Sequence, residues 1–189
     1  MTRQICADAK KRSQALAIVT GMQIPLLAIP VIFSLGMMLS DRNDHVGPRL
    51  RPVDPLARHL FQIGNTRSAS FQALVSRLQH SDLIVYIRTT HMLPSGIDGR
   101  LQFAAAQSGV RYVHVTVRTG VAGHHAVGIL GHELMHAVEV ANDASVRDMW
   151  GFRNLYARIG HSSDGVAFDT RTAQAAGAQV VKELVAAEP

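Results

Sequence analysis

Cysteine is nearly absent from this chain of 189 residues, with Cys6 as its single example. The residues beyond Cys6 therefore contain neither a disulfide framework nor a thiolate metal site. Charged residues are also few, at 17%, while 47% of the chain is apolar. This composition is typical of a globular protein and excludes a chain that is disordered throughout.

The excess of positive charge lies near the N-terminus, although the whole chain has a net charge of +5. Residues 1–58 carry eight Lys and Arg against four Asp and Glu, whereas residues 59–189 carry eleven against ten. No stripe of basic residues interleaved with aromatics occurs in the second part. We therefore expect no nucleic-acid partner.

The uncharged run 15–39 predicts a membrane segment. As a helix it would be about 37 Å long, against about 30 Å for the hydrocarbon core of a bilayer. The basic residues 10–12 precede it, so the positive-inside rule predicts a single-pass anchor with a cytoplasmic N-terminus and an extracytoplasmic domain. A cleaved signal segment, which would give a secreted domain, and a buried soluble helix are the alternatives.

Three prolines and one glycine in residues 41–58 predict a Pro-rich linker, which leaves residues 59–189 as one domain. Apolar spacing in that domain predicts an α+β fold with a small sheet. Its predicted elements are a helix over 71–80, strands over 82–90 and 111–119, and helices over 124–141, 145–159 and 170–187.

The motif H-E-x-x-H occupies His132, Glu133 and His136 in the predicted helix 124–141. Residues i and i+4 of a helix point the same way, so both imidazoles can bind one metal ion. Imidazole suits zinc, whose catalytic sites keep one position open for water. Zinc lowers the pKa of that water to about 7, and Glu133 is placed to act as its general base.

This motif and the strand before it make the stretch from Arg111 to Ala141 resemble the zincin superfamily of zinc metallopeptidases. The resemblance implies a zincin-like fold with an active-site helix followed by two more helices. It also implies a zinc cofactor and hydrolysis of a peptide or protein substrate. Glu139 and Asn142 stand where the metzincin branch has a glycine and a third histidine, which excludes that branch. The chain is closer to the gluzincin branch, which takes a glutamate ligand from a later helix.

The third metal ligand must differ from the gluzincin glutamate, because no glutamate occurs between Glu139 and Glu183. An antiparallel hairpin of the helices 124–141 and 145–159 would place residues 151–155 opposite the histidines, and that segment contains no carboxylate. Asp169, at the start of the predicted last helix, is therefore our candidate.

Several other residues stay open as ligands or as cleft residues. The alternative third ligands are Asp164, His161 and Glu139, the last of which can instead support His136 through a hydrogen bond. His114, on the polar face of its strand, is a candidate for approaching the substrate cleft. Tyr156 and His161 are candidate hydrogen-bond donors to an oxyanion.

Two functions follow from these patterns. The first is a membrane-tethered or exported zinc-dependent hydrolase of peptide bonds, with Glu133 as general base. The alternative is a non-catalytic, metal-stabilised interaction domain on the membrane surface. An open cleft beside the metal would favour the first function, and a closed coordination sphere would favour the second.

Overall fold

A computed structural model describes residues 48–121, 123–161 and 168–188. The described residues form a mixed four-stranded sheet and five helices, which confirms the predicted α+β class. The predicted membrane segment 15–39 lies outside them, and none of the described helices combines the length and apolarity needed to cross a bilayer. In chain order the elements are β1 (Leu50–Pro52), α1 (Pro55–Arg67), α2 (Ala69–Gln79), β2 (Leu83–Thr90), β3 (Gly99–Gln107), β4 (Val110–Arg118), α3 (Gly123–Asn142), α4 (Met149–Ile159) and α5 (Arg171–Ala186).

The sheet has the strand order β1-β2-β4-β3. β2 pairs in parallel with β1 and β4, whereas β3 is an antiparallel edge strand. The predicted alternation in β4 is confirmed, since Val113, Val115 and Val117 are fully buried on the side of the helices. This side of the sheet and the helices enclose one hydrophobic core.

The prediction of a linker over residues 41–58 is wrong from residue 50 onward. Leu50–Pro52 form β1, and α1 begins at Pro55. The prolines mark the boundaries of these elements, because proline suits an edge strand and the first turn of a helix. Asp54 caps α1 by accepting a hydrogen bond from Ala57 N at 2.8 Å.

Strand β3 was not predicted, because its sequence GRLQFAAAQ lacks β-branched residues and contains three alanines. It joins β4 through Ser108 and Gly109, whose φ angles of 52° and 80° fit a two-residue hairpin turn. The Ser-Gly pair was the available signal for this hairpin.

Helix α5 packs along α3. The sequence had predicted instead that α4 would pair with α3 in an antiparallel hairpin. Gly128 and Gly177 lie at the crossing of α3 and α5, where the missing side chains allow a close approach. A Cβ atom on Gly177 would lie 2.9 Å from the Gly128 carbonyl oxygen and 3.1 Å from His132 Cβ. This close approach holds the N-terminal end of α5 beside the HExxH residues.

The C-terminal end of α3 is held by Arg111, whose side chain is only 1% exposed. Its guanidinium donates to the carbonyl oxygens of Val140, Ala141 and Asp143 at 2.7, 3.0 and 2.7 Å. It also makes a bidentate ion pair with Asp82, at 2.9 and 2.6 Å. Arg111 thus supplies donors to carbonyls that a helix end leaves without partners.

The C-terminal end of helix α5 is hydrogen-bonded to the start of α2 through the Glu183 carboxylate, which is the acceptor. The donors are Ser68 Oγ at 2.6 Å, Ser70 Oγ at 2.6 Å and Ser70 N at 3.0 Å. Burial alone would raise the pKa of Glu183, but these hydrogen bonds lower it to about 2.

We expect the Glu183→Gln variant to lose about 1–2 kcal/mol of unfolding free energy at neutral pH, since it removes hydrogen bonds to a charged group. Because folding lowers this pKa from 4.5 to about 2, the stabilisation is complete above about pH 4.5 and declines as the pH falls towards 2. Urea unfolding at pH 7 and pH 3 tests this, and the difference from the wild type should shrink at pH 3. An equal difference at both pH values would contradict a charge-dependent contact.

Candidate metal centre

Helix α3 presents both motif histidines on one face. The Nε2 atoms of His132 and His136 lie 3.1 Å apart, and their rings meet edge to face with centroids 4.8 Å apart. Burial and the neighbouring His136 lower the pKa of His132. This shift favours the neutral imidazole, which is the form that binds metals.

Asp169 reaches the two histidines from the segment just before α5. Its Oδ1 lies 3.3 Å from His132 Nε2 and 3.6 Å from His136 Nε2. Paired backbone hydrogen bonds of 2.8 and 3.0 Å join Asp169 to His161, and Gln174 Nε2 donates to Asp169 Oδ2 at 2.8 Å. His161 therefore fixes the backbone of Asp169, and Gln174 orients its carboxylate.

The spacing of the three candidate ligand atoms fits a tetrahedral metal ion. These atoms are His132 Nε2, His136 Nε2 and Asp169 Oδ1. Bonds of about 2.0–2.1 Å to zinc place the ligand atoms of a tetrahedron about 3.3 Å apart. The observed separations of 3.1, 3.3 and 3.6 Å lie around that value. Two imidazole nitrogens and one carboxylate oxygen form a donor set that zinc accepts, with one tetrahedral position left for water or substrate.

Glu139 supports His136 from behind, which is the role the sequence left open beside direct coordination. Glu139 Oε2 lies 2.8 Å from His136 Nδ1, so a proton on Nδ1 leaves Nε2 available as a ligand atom. Glu139 Oε1 accepts hydrogen bonds from Thr170 Oγ1 at 2.6 Å and Thr172 Oγ1 at 2.9 Å. Burial alone would raise the pKa of Glu139, but the bonds from His136 and Thr170 lower it.

We expect the Glu139→Gln variant to bind metal about 10–100-fold more weakly, because a supporting carboxylate orients a ligand imidazole and raises its basicity. Competition with a chromophoric chelator measures this affinity. Glu188→Gln, which changes an exposed carboxylate on the terminal segment, is the matched control and should leave the affinity unchanged. Equal affinities of the two variants would mean that Glu139 has no role in the centre.

Glu133 is buried beside the three candidate ligands and faces the start of β3. Gly99 makes this possible, because a Cβ atom there would lie 3.0 Å from Glu133 Cδ and 2.6 Å from a methyl group of Ile129. The Leu101 backbone N–H faces the carboxylate and partly offsets the effect of burial on its pKa. Burial, with a further contribution from Asp169, raises the pKa of Glu133 to about 7.

These residues line a cleft of about 870 Å³. Helix α3 forms its base, α5 forms one wall, and residues 94–101 form the other wall. Arg118 holds the second wall in place, since its guanidinium donates to the carbonyl oxygens of Leu93, Pro94 and Ile97 and pairs with Asp98.

The other residues that the sequence suggested as metal ligands or cleft residues lie in different parts of the structure. His114 is on the opposite side of the sheet from the helices, where it meets Tyr86 edge to face, so its expected approach to the cleft is wrong. The Tyr156 hydroxyl is buried and donates to the His136 carbonyl oxygen at 3.1 Å, which leaves it unavailable to an oxyanion. His161 is exposed and lines the cleft. Asp164 lies outside the described residues.

The sequence did not point to several parts of the site. Gly99 and Leu101 belong to the unpredicted strand β3. Thr170 was recognisable in the sequence as a cap of α5, because threonine is a preferred capping residue. In the structure its hydroxyl accepts a hydrogen bond from Ala173 N at 3.1 Å. Its second contact, with Glu139, depends on the packing of α5 against α3.

Comparisons of this chain with protein-family models, curated proteins and solved structures found no match. The site is therefore described by its own residues, as a candidate HExxH metal centre on an α+β domain.

Proposed function

We propose that this chain is a zinc-dependent hydrolase of peptide bonds, tethered to a membrane or exported. One observation carries the proposal: His132, His136 and Asp169 converge at tetrahedral spacing with the Glu133 carboxylate beside them in an open cleft. A structural metal site would need neither the cleft nor the neighbouring carboxylate.

Glu133 has the properties of a general base and acid. Burial raises the pKa of Glu133 to about 7 when no metal ion is bound. A carboxylate beside the metal can accept a proton from the attacking water and release it to the leaving amine. The burial of Glu133 limits the positions that this proton acceptor can take. Zinc, when bound, would polarise the scissile carbonyl and activate the attacking water.

Strand β3 offers a binding edge for an extended peptide. Arg118 N donates to Asp98 O at 2.7 Å, so the even-numbered residue just before β3 pairs with β4. In an antiparallel edge strand the adjacent odd-numbered residues turn their backbone groups away from the sheet. A substrate segment that pairs with this edge would run past Glu133, while His161 can donate to the oxyanion from the opposite wall.

The first test is the zinc content of the purified full chain and three of its variants. We expect one zinc per chain in the wild type and in Glu133→Gln, loss in His136→Ala, and weakened binding in Asp169→Asn. Peptide-library hydrolysis by the wild type completes the test. Metal-replete preparations that hold no zinc would contradict the proposal, whereas bound zinc without hydrolysis of any peptide would favour the non-catalytic interaction domain.

A further inference from the structure

The side of the sheet that faces away from the helices carries positive charge without compensation. We call it the outer face. Its two adjacent cross-strand rows follow from the strand register: one runs through Arg51, Tyr86, His114 and Gln102, and the other through Arg88, Thr116 and Arg100. Within the described strands, no Asp or Glu side chain belongs to either row.

The three outer-face arginines differ from the structural arginines of this domain. Arg111 and Arg118 each pair with a carboxylate. Among the described residues, no carboxylate lies within ion-pair distance of Arg51, Arg88 or Arg100. Their charges are therefore available to an anionic partner.

The contacts of these three side chains are with neutral groups. Arg51 Nη1 donates to the Tyr86 hydroxyl at 3.1 Å, and its guanidinium lies 5.6 Å from the centre of that ring. Arg88 Nε donates to Thr116 Oγ1 at 3.1 Å. Arg100 Nη2 donates to Gln102 Oε1 at 3.0 Å, while its Nε is buried without a partner. These contacts orient the guanidinium groups but leave their charge unbalanced.

We propose that the outer face docks on a bilayer that carries anionic phospholipids. Guanidinium groups bind phosphate oxygens in a bidentate manner, and three of them lie on neighbouring strands of one sheet face. Tyr86 and Tyr112 add amphipathic rings of the kind that favour the membrane interface. The inference does not depend on the metal centre.

The position of β1 favours a bilayer over other polyanions. Ten residues, 40–49, separate the predicted membrane segment from Leu50, and they span at most about 35 Å. Arg51 lies within β1 and belongs to the outer face. The length of this connection would allow Arg51 to reach the headgroups of a bilayer in which residues 15–39 are anchored.

Lipid quenching of a fluorophore on the full chain tests the proposal. In a Cys6→Ser background, one label is placed on Ala105→Cys, exposed on the outer side of β3, and another on Ala175→Cys, exposed on α5. The vesicles carry a nitroxide-headgroup lipid, with or without phosphatidylglycerol. We expect stronger quenching at position 105 than at 175, and only when phosphatidylglycerol is present.

Charge variants separate docking from folding. The triple variant Arg51→Gln, Arg88→Gln and Arg100→Gln should lower the quenching at position 105 by about threefold or more, as should high salt. The corresponding lysine variant keeps the charge and should retain most of the quenching. A control that changes Arg58, Arg77 and Arg153 to Gln removes the same charge from exposed helical positions and should behave as the wild type.

Three outcomes would overturn the proposal. They are equal quenching at positions 105 and 175, quenching without dependence on phosphatidylglycerol, and unchanged quenching in the glutamine variant. A single-stranded oligonucleotide that binds through the same three arginines while lipid has no effect would assign the face to nucleic acid instead. The assay holds whether or not residues 15–39 insert, because it compares two positions on the same domain.

Discussion

Replacing Glu133 with glutamine should lower kcat/KM for the proposed peptide hydrolysis by about 10²–10⁴-fold, the usual contribution of a general base. Glutamine has nearly the same shape and fits the same buried position. It cannot accept a proton near neutral pH, whereas Glu133 has a pKa of about 7. The loss should therefore fall on kcat more than on KM, and zinc content should be unchanged.

The same kinetic assay with Glu188→Gln provides the matched control, because this carboxylate lies on the terminal segment beside His124 rather than in the cleft. Its kcat/KM should stay within about twofold of the wild type, as is usual for a surface substitution. A Glu133→Gln variant that hydrolyses peptides within tenfold of the wild-type rate would exclude Glu133 as general base. The metal centre itself would not be affected by that outcome.

The largest effect on stability is expected at Arg111. Arg111→Leu should lower the free energy of unfolding by about 3 kcal/mol, because it removes a buried guanidinium that donates to several carbonyl oxygens and pairs with the partly exposed Asp82. The variant leaves Asp82 without its bidentate partner and removes the guanidinium donors to the carbonyl oxygens of Val140 and Ala141. Urea unfolding followed by circular dichroism measures the change.

Two further substitutions separate charge from geometry in this prediction. Arg111→Lys keeps a positive charge but cannot reach both Asp82 and the α3 carbonyls at once, so it should lose less stability than Arg111→Leu. Arg77→Leu, at an exposed position of α2, should change the free energy of unfolding by no more than about 0.5 kcal/mol. If Arg111→Leu matched Arg77→Leu, the cap on α3 would have no energetic role.

Sequence periodicity was sufficient for the elements with a strong local signal. The alternating valines of β4 and the amphipathic spacing of α2 and α5 identified those elements to within two residues at each end. β1 is only three residues long and β3 has an alanine-rich second half, so neither has a distinct pattern. Arg111 carried a usable signal that was missed, since it shares the phase of the buried valines in β4.

The candidate site was predictable only in part, because its members come from distant parts of the chain. The HExxH spacing identified His132, Glu133 and His136 from local geometry alone. Asp169 was reached by considering which acidic residues a later helix could offer, and the structure brings it to both histidines. His114 was misplaced because β4 is an internal strand rather than one that borders the cleft, and His114 lies on its polar face, which the helices do not cover.

The three candidate ligands come from segments about 30 residues apart, so a bound metal would close a long loop in the chain. Because the unfolded chain does not hold this site together, bound metal would stabilise the folded state, by an amount that grows with the logarithm of the metal affinity. The Glu183 contacts with Ser68 and Ser70 fasten the other end of α5 without a metal. Chelation should therefore release α5 from its N-terminal end first, and amide hydrogens there should exchange sooner than those near residue 183.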